Sequence, residues 1–466
     1  MLMRAERFLI FAVCAGMPVL FWPAAGQDEQ FYVVKQAGLL IAAALMASLR
    51  LAARAAGAPA GVRSNGAAAW AAPAVLAWFA ASLLYSPHRH SSIESLSYFA
   101  ALIVLYRICA THAQAALARR AATAGTALGA VVACSYGILD FLGLAGPPLF
   151  IDWGSRTASL FADPNMFGIY LLFPVMLCLG RAGAWRGSVT ARVAWGALAA
   201  LCFTALAASY SRSAWVALGA ALGFFAVASV LMSRGAMSAR LKPAALALGF
   251  AACLCLGALA ASRLPVVRAQ GFELPARVST ISLFHKEEAR PRTLLWRSAL
   301  GMVREKPLAG HGLGVFWREY VPRQLALRPE RGFAERVEER SFHAYNDYLE
   351  LASETGIIGL ALWVAFVAAA LHGAARGAAR AGGAADLAPV AAAFGFFTAG
   401  ALFQYPLFSP APAALAMAWL GVTADRAAPA PQAGRAAAPA RVVCALLAAA
   451  VAASALWWAP RRVVAF

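Results

Sequence analysis

Charge is scarce in this sequence: 13% of its residues are Asp, Glu, Lys or Arg, while hydrophobic residues fill 62%. Soluble domains carry about 25% charged and 45–50% apolar residues. A water-soluble fold of 466 residues is therefore excluded, because its surface would be largely apolar. Acidic side chains are scarcest, 21 against 40 basic ones, for a net charge of +19. That excess suits either nucleic acid or the cytoplasmic loops of a membrane protein, and the apolar content selects the second; no nucleic-acid partner is expected. Cysteine is confined to apolar runs (Cys14, Cys109, Cys134, Cys178, Cys202, Cys253, Cys255, Cys444). None has zinc-ligand spacing or a place in a loop, so neither a zinc site nor a disulfide framework is expected. A clean small-x-small cleavage site is also missing after Phe21-Trp22-Pro23, although Arg4 and Arg7 precede an apolar stretch. The first segment reads as a retained transmembrane helix rather than a signal peptide.

What is present is a series of long apolar runs. A hydrocarbon core about 30 Å thick needs roughly 20 apolar residues per helix. Spans are predicted near 7–24, 31–49, 67–85, 95–110, 121–143, 165–180, 193–210, 213–232, 243–262, 355–371, 387–407, 409–423 and 442–459. The fold class is all-α: a polytopic integral membrane protein with about 12–13 transmembrane helices and one long periplasmic loop. Basic residues fall in every second connection: Arg50, Arg54, Arg63; Arg107, Arg119, Arg120; Arg181, Arg186, Arg192; Arg234, Arg240, Lys242; Arg376, Arg380; Arg426, Arg435, Arg441. The intervening short connections hold Asp28 and Glu29, Arg89, or Arg156. The positive-inside rule then puts the N-terminus in the cytoplasm.

The chain divides into N-terminal transmembrane helices (1–262), a periplasmic loop (263–342) and C-terminal transmembrane helices (343–466). The loop carries fifteen basic and nine acidic side chains, and loops of this length cross regardless of charge. Amphipathic stretches at 294–306 and 333–340 predict short helices at the membrane surface. An Ala- and Pro-rich stretch, 427–440, reads as a cytoplasmic linker.

Three clusters carry candidate chemistry. Charge at membrane depth costs roughly 2.5–3.5 kcal/mol on insertion scales, so Arg212 in Ser209-Tyr210-Ser211-Arg212-Ser213 calls for a reason. The plain alternative is an arginine reaching the headgroups from a hairpin tip. The second cluster holds Arg290, Arg292 and Arg297, followed by Gly310-His311-Gly312-Leu313-Gly314. A guanidinium suits a pyrophosphate through paired, charge-assisted hydrogen bonds, although a solvated basic loop is the plain reading for any one of them. The glycine run follows no predicted strand, which argues against a nucleotide cradle. In the third cluster His343, Asn346, Glu350 and Glu354 recur every three or four residues, near one face of a helix entering the membrane.

Together these features resemble the O-antigen ligase and polymerase superfamily, with its Wzy-C type domain. The resemblance rests on Ser211-Arg212, Arg292 four residues before Trp296, Pro307-Leu308-Ala309-Gly310-His311-Gly312-Leu313-Gly314, and His343-Ala344-Tyr345-Asn346-Asp347-Tyr348-Leu349-Glu350 with Glu354-Thr355-Gly356. The segment from Arg156 through Asp163-Pro164-Asn165 is similar to another family segment, and the likeness covers roughly 145–420. Many relatives carry histidine directly before the asparagine where this chain has Tyr345, which leaves His343 to take that part.

The resemblance implies a GT-C-like membrane enzyme with an undecaprenyl-pyrophosphate-linked saccharide as donor. A lipid A-core or glycan hydroxyl is the implied acceptor, and membrane lipids surround the protein. The acceptor attacks the anomeric carbon with inversion at the periplasmic face. Arg212 and Arg292 take the pyrophosphate and His343 the proton, with Arg156, Asn165, Arg290, Arg297, Asn346, Glu350 and Glu354 in support. No DxD motif is present, so no metal and no cofactor are expected. Ligase, glycan polymerase and protein O-oligosaccharyltransferase share this signature. A transporter, the rival from another class, predicts ionisable residues lining mid-membrane helices; Lys35 and Asp140 are the candidates here.

Overall fold

The computed structural model describes residues 2–20, 29–55, 67–145, 156–161, 163–182, 188–232, 289–327, 341–381 and 383–425, with isolated positions between 245 and 263. Among these the chain is helical, without a strand. The helices are α1 (Leu2–Gly16), α2 (Glu29–Ala55), α3 (Ala68–Ala81), α4 (Arg89–Ala110), α5 (Ala115–Phe141), α6 (Pro164–Ala182) and α7 (Val189–Ser209). They continue with α8 (Arg212–Met232), α9 (Ala289–Glu305), α10 (Phe316–Leu327), α11 (Asp347–Ala381), α12 (Ala384–Gly395) and α13 (Pro410–Thr423). Eight helices in the described residues are long and apolar enough to cross a membrane, and α3 and α13 are shorter apolar helices. The all-α polytopic membrane architecture expected from composition is the one observed. The spans expected at 243–262 and 442–459 lie outside the described residues, as do the amphipathic stretch 333–340 and the linker 427–440.

Several boundaries differ from expectation, among them the starts of α4 at Arg89 and α5 at Ala115 and the end of α2 at Ala55; three others are instructive. Helix α1 ends at Gly16, just before Pro18, instead of running to residue 24. Helix α11 begins at Asp347, eight residues before the predicted span, and is broken at Gly356 (φ 67°, ψ 179°). Helix α12 runs through a π-turn at Phe396–Gly400 and a last turn at Ala401–Phe403. It stops at extended Gln404 because Pro406 disfavours helical backbone before it.

Helix α6 occupies the centre, apolar all round and buried over 83% of its span, as a helix without a polar face must be. Gly168 lets it press on the α7–α8 hairpin; a Cβ there would meet that of Ser211 at 2.8 Å. Small residues give such close approach in lipid, where packing rather than water drives association.

The polar contacts gather at two ends of the bundle. At one end Arg50 pairs with Glu6 and donates to the Ile108 carbonyl (3.0 Å), Arg119 pairs with Asp386 (3.2 Å), and Arg376 pairs with Asp425 (3.5 Å). At the other end lie 17–20, 82–88, the segment after Asp140, the hairpin at 209–213, helices α9 and α10, and the turn after α12. This partition follows the alternation of arginine-rich and arginine-poor connections in the sequence.

Candidate active site

His343 sits in a turn, not on the helix that the three-to-four spacing suggested. Residues 341–346 are irregular, with Tyr345 in the left-handed region (φ 53°). Helix α11 starts only at Asp347 because Asn346 caps it. Asn346 Oδ1 accepts from the Tyr348 and Leu349 N–H groups, both at 3.0 Å, and so satisfies two donors that a helix start leaves open. Glu350, in the first turn of α11, reaches back over this cap. Its Oε1 takes the His343 Nδ1–H at 2.9 Å, and its Oε2 takes the Ala344 N–H at 2.7 Å. Glu350 is buried whereas His343 is partly open. A buried carboxylate bonded to Nδ1 holds the proton there and leaves Nε2 with a lone pair.

The imidazole lies on the segment that follows α12. Its ring stacks on Tyr405 with centroids 4.4 Å apart and planes 17° apart, and Phe408 lies 5.2 Å away. Residues 403–407 are fixed from several directions. Asp347 Oδ2 accepts from the Leu407 N–H (2.9 Å), Tyr98 donates to the Leu407 carbonyl (2.8 Å), and Arg292 Nη1 donates to the Phe403 carbonyl (3.3 Å). Arg292, on the first turns of α9, also places its guanidinium 4.8 Å from the Tyr345 ring centroid, and Tyr345 meets Tyr405 edge-on at 5.2 Å. Trp296, one turn on, donates to the Ala344 carbonyl at 3.0 Å. One aromatic group thus carries both the histidine and an arginine of the loop.

Tyr405 leads from there to the N-terminus of α6. Its hydroxyl donates to Asp163 Oδ2 at 2.8 Å, and the Tyr32 hydroxyl lies 3.5 Å from it. Burial, followed by the nearby Asp163 carboxylate, pushes the Tyr405 phenol well above its ordinary range, so it keeps its proton and donates. Asp163 Oδ1 accepts the Asn165 N–H (2.7 Å), and Pro164 stands first in the helix, a pairing that sets α6's start. Asn165 Oδ1 in turn accepts from Arg156 Nη2 (2.9 Å), while Arg156 Nε donates to the Ser209 carbonyl (3.1 Å). Ser209 ends α7; Tyr210 turns the chain in the left-handed region (φ 51°), and half-buried Arg212 opens α8. The two halves of the chain are joined through these side chains.

The remaining sequence candidates fall elsewhere. Glu354 Oε1 accepts the Phe316 N–H at 2.9 Å and so caps the start of α10. The glycine run 310–314 packs on the break in α11. There His311 and Gly312 donate their N–H groups to the carbonyls of Ser353 (3.1 Å) and Glu354 (2.8 Å), which the break frees. Gly310, Gly312 and Gly314 all have positive φ, so the run is shaped for this contact. Arg297 stands exposed, turned about 100° from Trp296 around α9. Arg290 lies in the first turn of α9, its side chain outside the described residues. No cluster of metal-ligating side chains occurs among the described residues.

Sequence reasoning missed Asp163 and Tyr405 as members of the site. Asp163-Pro164 is readable as a helix start. Nothing local marks Tyr405, which lies inside a run that reads as a span.

Residues 197–364 match the family model described as O-antigen ligase. That range contains Arg212, Arg292, His343, Asn346, Glu350 and Glu354, whereas Arg156, Asp163 and Tyr405 lie beyond it. The exopolysaccharide production protein ExoQ of Rhizobium meliloti is 28% identical over 274 residues, 57% of this chain and 57% of that protein. The match thus spans little more than half the length of that relative. The match to the family model takes in most of the motifs that carry the resemblance, so residues 197–364 of this chain are similar to the O-antigen ligase family.

Proposed function

We propose that the protein is a metal-independent, inverting glycosyltransferase of the bacterial inner membrane. It moves a saccharide from undecaprenyl pyrophosphate to an acceptor hydroxyl at the periplasmic face. The observation that carries this reading is the His343–Glu350 pair lying on the same aromatic group as Arg292, inside the family-matched segment. His343 Nε2 takes the acceptor proton as the acceptor oxygen bonds to the anomeric carbon. The bond from that carbon to the pyrophosphate oxygen breaks, and its electron pair leaves with the pyrophosphate. Arg292 and Arg212 stabilise the charge that builds there, which a guanidinium in a low-dielectric site does well. Lipid A-core is the acceptor in the leading reading, which makes the protein an O-antigen ligase. The similarity to a protein named for exopolysaccharide production supports a second reading, in which the acceptor is a growing glycan. Transfer to protein is the third member of the same class. Analysis of the acceptor end of the product separates them.

The test uses lipid-linked saccharide extracted from the producing cell, with undecaprenyl pyrophosphate as the binding probe. His343→Ala should bind the probe normally and lose about 10²–10⁴-fold in single-turnover rate, the usual worth of a general base. Arg292→Lys should weaken probe binding because the charge remains but the fork is lost, and Arg212→Ala should reduce transfer. Full rate in His343→Ala overturns the base assignment. Transfer should persist in EDTA; a loss restored by magnesium or manganese overturns the arginine account of the leaving group.

A further inference from the structure

The ring under His343 has its own fixed support. Tyr405 is spent on three contacts at once: its face on the imidazole, its hydroxyl on Asp163, and its edge against Tyr345. Asp163 divides its carboxylate between this hydroxyl and the first turn of α6, the most buried of the eight long apolar helices among the described residues. Tyr405 therefore cannot rotate without breaking a buried hydrogen bond to a group that α6 holds rigidly. A phenol that donates to a carboxylate also gains electron density in its ring. A ring of that kind, face to face with an imidazole, attracts it more strongly once the imidazole carries a proton.

We propose that Tyr405 and Asp163 are positioning residues that act through His343, with Asp163 fixing the Tyr405 ring and the ring holding the imidazole and stabilising its protonated form during transfer. The proposal rests on the reading of His343 as the base. It gives the α6 N-terminus, outside the family-matched segment, a part in the reaction. The same Asp163 turn leads through Asn165 and Arg156 to the hairpin bearing Arg212, so one rigid element references both the base and a leaving-group arginine.

The experiment is single-turnover transfer from extracted lipid-linked saccharide by the full chain, with undecaprenyl pyrophosphate binding and thermal unfolding measured alongside. Tyr405→Phe keeps the ring and the buried volume and removes only the hydroxyl. Asp163→Asn keeps an oxygen for the helix start, so the second variant guards against a folding defect in the first. Each should lower the rate roughly 10- to 100-fold, the worth of a hydrogen bond to a charged group, with probe binding unchanged. The double variant should be no slower than the worse single one, since both remove the same link. In a His343→Ala background neither change should lower the residual rate further.

Full rate in folded Tyr405→Phe overturns the proposal while leaving the base reading intact, provided His343→Ala is slow. A further loss in the His343→Ala background also overturns it, because the tyrosine then acts independently of the histidine. Full rate in His343→Ala removes the base and the positioning pair together.

Discussion

Glu350 is the residue on which the His343 imidazole depends most directly. Both of its oxygens are acceptors for donors in the turn before α11, and only a carboxylate offers two acceptors at that spacing. Glu350→Gln preserves size but turns an amide NH2 toward one of those donors, so one bond is lost and the proton on Nδ1 is no longer enforced. Single-turnover transfer should fall by about 10²-fold or more, toward the value of the His343→Ala variant. Undecaprenyl pyrophosphate binding should hold. A variant with unchanged rate would show that the carboxylate serves only to cap the turn.

At the scale of elements, the loop between α9 and α10 and the break in α11 form one joint. Ile357 N–H donates to the Pro307 carbonyl (2.8 Å), Trp78 donates to the Thr355 carbonyl (2.8 Å), and Tyr85 donates to the Ala309 carbonyl (2.6 Å). The joint fits only because Gly310 faces it: a Cβ there would meet the Glu354 carbonyl oxygen at 2.3 Å, on a backbone already at φ +72°. Gly310→Ala should lower stability by at least about 1–2 kcal/mol from the backbone conformation alone, read as a fall in the thermal midpoint in detergent. Gly301, inside α9, has open space, with Arg323 Cδ at 3.9 Å as its nearest neighbour. Gly301→Ala should raise the midpoint, by up to about 1 kcal/mol of helix propensity. Equal effects from the two substitutions would show that the joint does not depend on glycine.

The whole molecule separates its connections into two ends, and the site lies at the end whose short connections are poor in arginine. Cysteines introduced into 289–327 should react with an impermeant thiol reagent in intact spheroplasts, and cysteines at 188–192 should not. The native thiols among the described residues are buried, and Cys253, Cys255 and Cys444, which lie outside those residues, are replaced by serine for the assay. The reverse labelling would place the site in the cytoplasm and end the periplasmic reading.

The amino-acid sequence by itself determined the solvent, the helical class and most of the spans. Partition into lipid sums residue by residue along a local run, and tertiary contacts leave that sum unchanged. It also determined the hairpin at 209–213, the start of α6 at Asp163-Pro164, and the order of the candidate arginines and histidine. The tertiary structure decided which of them meet. His343 left the helical face because Asn346 capped α11 behind it, and Glu354, on the same apparent stripe, turned to α10 instead. Tyr405 reached Asp163 across 242 positions, and Arg292 reached Phe403 across 111. Periodicity reports which face of one helix a residue shares, but contacts at such separations depend on how helices pack and where they break, which no local window of the sequence contains.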